Sequence, residues 1–199
     1  MSLFDEKAAR LARLFTAICL GQFDVVRTLR REAPAGEPDR AWREAVLQTH
    51  LFSGFPRLVQ AYGVLEEEGG LGDPEPGEYE LEEETSPRGE ALFDAIYSSV
   101  APKMRARLAS FRPDFATWLM QHAYGHILSR PGLEPVIREL LSVCVLAAMD
   151  QPAQLESHAR GALRFGASLG DLFQALDVAE TLAPQAPIAR AREAAAQWT

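Results

Sequence analysis

Apolar side chains in this chain recur at three- and four-residue spacing, and no stretch alternates polar and apolar as a half-buried strand must. Leu11, Leu14, Phe15 and Ile18 form one stripe and Phe23, Val25, Val26 and Leu29 a second, with Gly21 between them. Trp42, Ala45, Val46, Thr49 and Phe52 form a third, which stops around Gly54 and Pro56, and a short helix is expected over 57–67. Further helices are expected over 91–100, 102–110 and 114–128, and Pro135 suits the first turn of one running to Met149. Asp150 is read as the N-cap of the next helix with Pro152 in its first turn, Gly166 as its stop, and Ser168-x-x-Asp171 as the capping box of the one after. The pattern predicts an all-α protein of antiparallel helix pairs with short turns.

The helices also repeat. At an offset of 125 residues, Arg13 to Leu20 lies on Arg138 to Val145 with Cys19 on Cys144; at 130, Gly36 lies on Gly166, Trp42 on Leu172 and Ala45 on Ala175. Two related halves packed about a pseudo-two-fold axis follow, because each copy has an apolar face the other can cover. The organisation expected is a degenerate N-terminal repeat over 1–68, an acidic Gly/Pro linker over 69–89 and a second repeat over 90–199.

Charge is concentrated in one place. Residues 66–90 hold eleven carboxylates and one arginine, so the chain's net charge of −8 becomes +2 once they are set aside. Five glycines and three prolines in 69–89 mark that stretch as a solvated spacer. With no basic surplus, nucleic acid is not an expected partner. The longest strictly apolar run, 143–149, falls far short of the ~20 residues a membrane span needs, so a soluble, cytoplasmic protein with no membrane partner is expected. Two cysteines, Cys19 and Cys144, suit neither a disulfide framework nor a zinc site and read as buried core.

Two polar side chains interrupt apolar helix faces. Glu139 lies in the helix over 136–149 beside Val136, Ser142 and Val143, and His158 falls on the stripe of Leu155, Ala159, Ala162 and Leu163. In an antiparallel hairpin the two would converge, and a carboxylate that orients an imidazole is an acid/base arrangement. A satisfied structural pair is the commoner use of such residues.

The run Tyr124-Gly-His-Ile-Leu-Ser-Arg-Pro-Gly-Leu133, with Arg138-Glu-Leu140, Leu155-Glu-Ser-His158, Gly161-Ala-Leu163 and Gly166, resembles the carboxymuconolactone decarboxylase family, whose superfamily includes the AhpD-type alkyl hydroperoxidases. The resemblance covers about 90–185, and Trp42 to Pro56 is similar to the family's closing helix. It implies an AhpD-like all-α fold, symmetric homo-oligomers, and a site on the helices that carry Glu139 and His158. The peroxidase pattern of Glu, eleven residues, Cys, two residues, Cys, three residues, His finds Glu139 and His158 in register, but Gln151 and Gln154 stand where the cysteines belong. Thiol peroxidase activity is therefore not expected. The decarboxylase branch is the better match. It implies Glu139 and His158 as the catalytic pair, Gln151, Gln154 and Tyr124 as substrate lining, a small carboxylated ligand in a cationic or hydrogen-bonding cradle for which Arg130, Arg138 and Arg160 are available, and no cofactor. The rival reading is a non-catalytic helical oligomer that binds a small molecule or protein. His122 and His126 stand at i and i+4 but lack the intervening Glu of a zinc helix and a third ligand, so no metal site is expected.

Overall fold

The chain was analysed as a computed structural model that describes residues 2–37, 39–76, 78 and 82–197. Among them the regular structure is helical throughout. Helices α1 (Glu6–Leu20), α2 (Phe23–Arg31), α3 (Arg40–Gln48) and α4 (His50–Glu67) precede the acidic stretch; α5 (Glu82–Tyr97), α6 (Ala101–Phe111), α7 (Pro113–Leu119) and a π-helix (Met120–Leu128) follow it. The chain then runs through α8 (Pro135–Ala148), α9 (Pro152–Arg164), α10 (Leu169–Leu182) and α11 (Ile188–Ala195).

Helix α8 is the hub. Leu140, Leu141, Cys144 and Val145 are wholly buried, and the helix packs against α1, α9 and α10. Leu14, Phe15 and Ile18 of α1 meet it with no exposed surface, so the two helices aligned by the sequence offset lie against each other. Removing a Val-, Leu- or Phe-sized side chain from water is worth ~1.5–3 kcal/mol, and this apolar centre supplies most of the drive to fold. A second cluster, around Phe93, Ile96, Tyr124 and Leu128, forms where α5 crosses the π-helix, and Phe165 touches both clusters. Gly89 makes that crossing possible: a Cβ there would stand 2.6 Å from the backbone nitrogen of Gly125.

The capping box at Ser168 and Asp171 forms as predicted, and Pro135 opens α8. Asp150 does not cap α9. It takes a left-handed conformation (φ 51°) in the tight turn, and Gln151 stands at the N-cap without a side-chain bond, because only three residues, 149–151, separate the helices. The third apolar stripe runs into α4, with a kink at Gly54 (φ 77°) that lets Pro56 enter without breaking the following turn.

The acidic stretch is more ordered than a solvated spacer. Leu71 is buried, Glu78 turns inward to accept from Arg43, and α5 begins at Glu82, inside the expected linker. The reason is electrostatic: Arg43 on α3 offers its guanidinium to Glu78 while also donating to the Leu71 carbonyl at 2.8 Å, which draws the loop onto the helices. Residues 77 and 79–81 of that expectation lie outside the described residues.

Candidate functional site

The short turn between α8 and α9 brings Glu139 and His158 together. Their side chains meet at 2.9 Å, His158 Nδ1 to Glu139 Oε2, with Glu139 buried and His158 partly open. Gly161, one turn beyond His158, clears the space: a Cβ on it would lie 2.5 Å from Glu139 Oε2. A carboxylate only accepts, so Nδ1 carries a proton, and Nε2, without a hydrogen-bond partner among the described residues, is the nitrogen left to exchange one.

His158 lines a cleft of about 690 Å³, a size suited to a small organic ligand. Gln151 and Gln154 stand at its exposed rim, and Tyr124 forms part of its wall. Tyr124 shares a hydrogen bond of 3.2 Å with Tyr97. Burial, then the neighbouring Tyr97 and the charge of Glu139, push the Tyr124 hydroxyl well above the ordinary tyrosine range, so it stays protonated. Four of the five residues expected at the site thus line the cleft, and the fifth, Glu139, stands behind His158.

The cleft carries two further imidazoles, of which only His122 stands out in the sequence. His50, at the start of α4, sits Nε2 to Nε2 against His122 of the π-helix at 2.8 Å. Phe55 stacks on His50 with ring centroids 5.0 Å apart, and Trp118 stacks on His122 at 6.1 Å. Burial lowers the affinity of His122 for a proton, and the neighbouring His50 and His126 lower it further. The π-helix closes through i to i+5 bonds, and His122 meets His50 across the cleft wall. No group of three or more metal-ligating side chains occurs among the described residues.

The family model for the carboxymuconolactone decarboxylase family matches residues 113–197, which contain the Glu139–His158 pair and the π-helix wall. A protein named 4-carboxymuconolactone decarboxylase from Acinetobacter baylyi is 32% identical over 65 residues, 33% of this chain and 48% of that protein. Residues 113–197 thus carry the sequence pattern of the carboxymuconolactone decarboxylase family. A protein named Peroxisomal protein 2 from Schizosaccharomyces pombe is 28% identical over 142 residues, 69% of this chain and 66% of its own length.

The arginines available for a carboxylate cradle are engaged elsewhere. Arg138 is buried and donates to Glu44 at 2.8 Å and Gln48 at 2.9 Å, Arg130 pairs with the same Glu44, and Arg160 pairs with Glu156 on the surface of α9. A buried Glu44 flanked by two guanidiniums fastens α3 to α8, and holding it there keeps those charges out of the cleft. Among the described residues, no lysine or arginine lines the cleft. Its cysteines also lie away from it: Cys19 donates to the Thr49 carbonyl and Cys144 to that of Ala175. Burial pushes the Cys19 thiol up to about 12 and raises that of Cys144 strongly, the reverse of what thiolate chemistry needs.

Proposed function

We propose that the cleft carries out proton transfer on a small unsaturated lactone or related carbonyl compound, with His158 Nε2 as the group that exchanges the proton and Glu139 as the residue that orients and charges-balances the ring. The observation that carries this reading is the 2.9 Å Nδ1 to Oε2 contact, which holds one imidazole nitrogen and leaves the other toward the cleft. Tyr124, kept protonated by burial, donates to the carbonyl oxygen as charge develops on it. Gln151 and Gln154 supply neutral hydrogen bonds at the rim. A ligand carboxylate is met here by glutamine amides and imidazoles rather than by arginines, so a lightly charged ligand suits the cleft better than a polycarboxylate.

The test offers α-angelica lactone and, separately, 4-carboxymuconolactone, and follows double-bond migration and carbon dioxide release. Wild-type protein is expected to shift the double bond of the first compound, and His158→Phe to lose at least 100-fold of that rate. Equal rates in the two proteins would remove His158 from the chemistry.

A second reading, ligand binding without turnover, is favoured by the exposed aromatic rim of Phe55 and Trp118, 60% and 61% exposed. Phe111 and Val59 are exposed as well, and apolar side chains left open in this way suit self-association. Homo-oligomers are therefore part of the proposal, and sedimentation as a strict monomer at micromolar concentration counts against them. Residues 1–68 and 90–199 are read as diverged copies, the first having Leu14 and Thr28 where the second has Glu139 and His158. Among the described residues no helix is long and apolar enough to cross a membrane, and the peroxisomal relative adds a compartment to be tested beside the cytoplasm.

A further inference from the structure

We propose that His50 and His122 form a second proton-transfer station in the same cleft, with His122 Nδ1 as the base that takes a proton from the ligand and His50 as the residue that positions His122 and shares the proton it gains. The proposal rests on the reading of His158 above.

Three contacts define the station. His50 Nδ1 lies 2.5 Å from the Leu47 carbonyl, an atom that only accepts, so that nitrogen carries hydrogen and His50 Nε2 presents a lone pair. Across the 2.8 Å contact the hydrogen must then sit on His122 Nε2. His122 Nδ1 is left with a lone pair and no hydrogen-bond partner among the described residues, on a ring that lines the cleft. Phe55 stacks on His50 and Trp118 on His122, so the two rings lie between aromatic faces. Burial and the neighbouring His50 and His126 disfavour the charged form of His122, which keeps its Nδ1 lone pair open. A surface histidine needs none of this, and a merely structural pair would not leave its free nitrogen in a cleft that His158 also lines.

Two bases in one cleft suit a proton shift between two carbons of one ligand. His122 Nδ1 takes the proton from the carbon next to the carbonyl, and the electron pair of that C–H bond spreads toward the carbonyl oxygen, which accepts from Tyr124. His122 passes its Nε2 hydrogen toward His50 Nε2, so the added proton is shared by the two rings. His158, protonated at Nε2, gives its proton to the far carbon of the conjugated system. The double bond moves, no atom is lost, and solvent removes the proton from the imidazole pair and restores the one on His158. The substrate class is a lightly charged β,γ-unsaturated carbonyl compound.

The experiment incubates the full-length protein with α-angelica lactone in heavy water and records two rates by proton NMR: deuterium entry next to the carbonyl and formation of the conjugated isomer. His122→Phe is expected to lower both at least 100-fold, and His122→Gln likewise, the glutamine amide keeping a donor for His50 Nε2 so that the fold is retained. His50→Phe is expected to lower both about 10-fold by releasing His122. His158→Phe is expected to lower isomer formation far more than exchange. Wild-type exchange rates in both His122 variants overturn this proposal while leaving His158 in place; loss in them with full activity in His158→Phe overturns the reading of His158 and keeps this one. A wild-type protein inert toward the lactone overturns both. Nitrogen-15 spectra of the unliganded protein provide the substrate-free arm, with hydrogen expected on His50 Nδ1 and His122 Nε2; the opposite tautomers sink the proposal.

Discussion

Replacing Gly161 by alanine tests the packing of the site with one methyl group. In an ordinary helix interior the change stabilises by ~1 kcal/mol, because alanine loses less backbone freedom than glycine. Here the new Cβ would stand 2.5 Å from Glu139 Oε2 and 3.0 Å from its Cδ, closer than such atoms approach. The carboxylate has to swing away, and since Glu139 is only 2% exposed, it leaves His158 without reaching water. Losing a charge-assisted hydrogen bond of this kind costs ~1.5–3 kcal/mol. Set against the helix gain, the net destabilisation is about 0.5–2 kcal/mol, a fall in melting temperature of about 1–8 °C for a chain of this size. In a Glu139→Ala background the obstacle is gone, and Gly161→Ala should stabilise by about 1 kcal/mol. The sign therefore reverses between the two backgrounds, which a double-mutant cycle in urea reads directly. Stabilisation in the wild-type background would show that Glu139 is not held against His158, and the argument for the pair as an oriented unit would fall with it.

Asp171 offers a pH test. Burial alone would raise its carboxyl, but hydrogen bonds from the Ser168 and Ser2 side chains and from the backbone N–H groups of Ser168 and Phe4 outweigh burial and hold it far below the usual range. A depressed folded value means the stabilisation is complete above the unfolded value of ~3.9 and is lost as pH falls below it, so Asp171→Asn should cost about 2 kcal/mol at pH 7 and much less near pH 2 by urea denaturation. Gly89→Ala should destabilise by ~1–3 kcal/mol, since the obstacle is the backbone of Gly125 and cannot turn aside; an unchanged midpoint would mean that α5 and the π-helix do not cross as described. Both thiols should resist Ellman's reagent in the folded protein and react once it is denatured, and rapid native labelling of either would contradict its burial.

The parts of this protein that could be read from its sequence are those set by local rules. The stripes through Leu14, Phe15 and Ile18 and the apolar run around Cys144 required helices, and Pro135, Ser168 and Asp171 marked their starts because capping involves groups a few residues apart. Glu139 and His158 were legible for the same reason: each is a polar residue on an otherwise apolar face, and a three-residue turn leaves their helices one way to pack. Where Arg130 and Arg138 point is not legible in the sequence, because a cation's partner is a tertiary fact. Glu44 is more than eighty residues away in sequence, and nothing local to either arginine announces it.

His50 shows where such reading stops and why the site needed coordinates. On its own helix it looks like the polar first residue after Thr49, and its contact with His122 spans 72 residues. The contact also depends on a π-helix, which sequence rules do not anticipate, because its i to i+5 bonds use the same residue types as an α-helix and differ only in phase. That segment is packed by the close crossing of Gly89 over Gly125 and by the contacts of Tyr124 with Phe93 and Tyr97. A segment wound the ordinary way would rotate His122 relative to Tyr124 and send one of them out of the wall. The π-helix is thus the element that lets one wall offer both a phenolic donor and an imidazole to the cleft that His158 faces from α9.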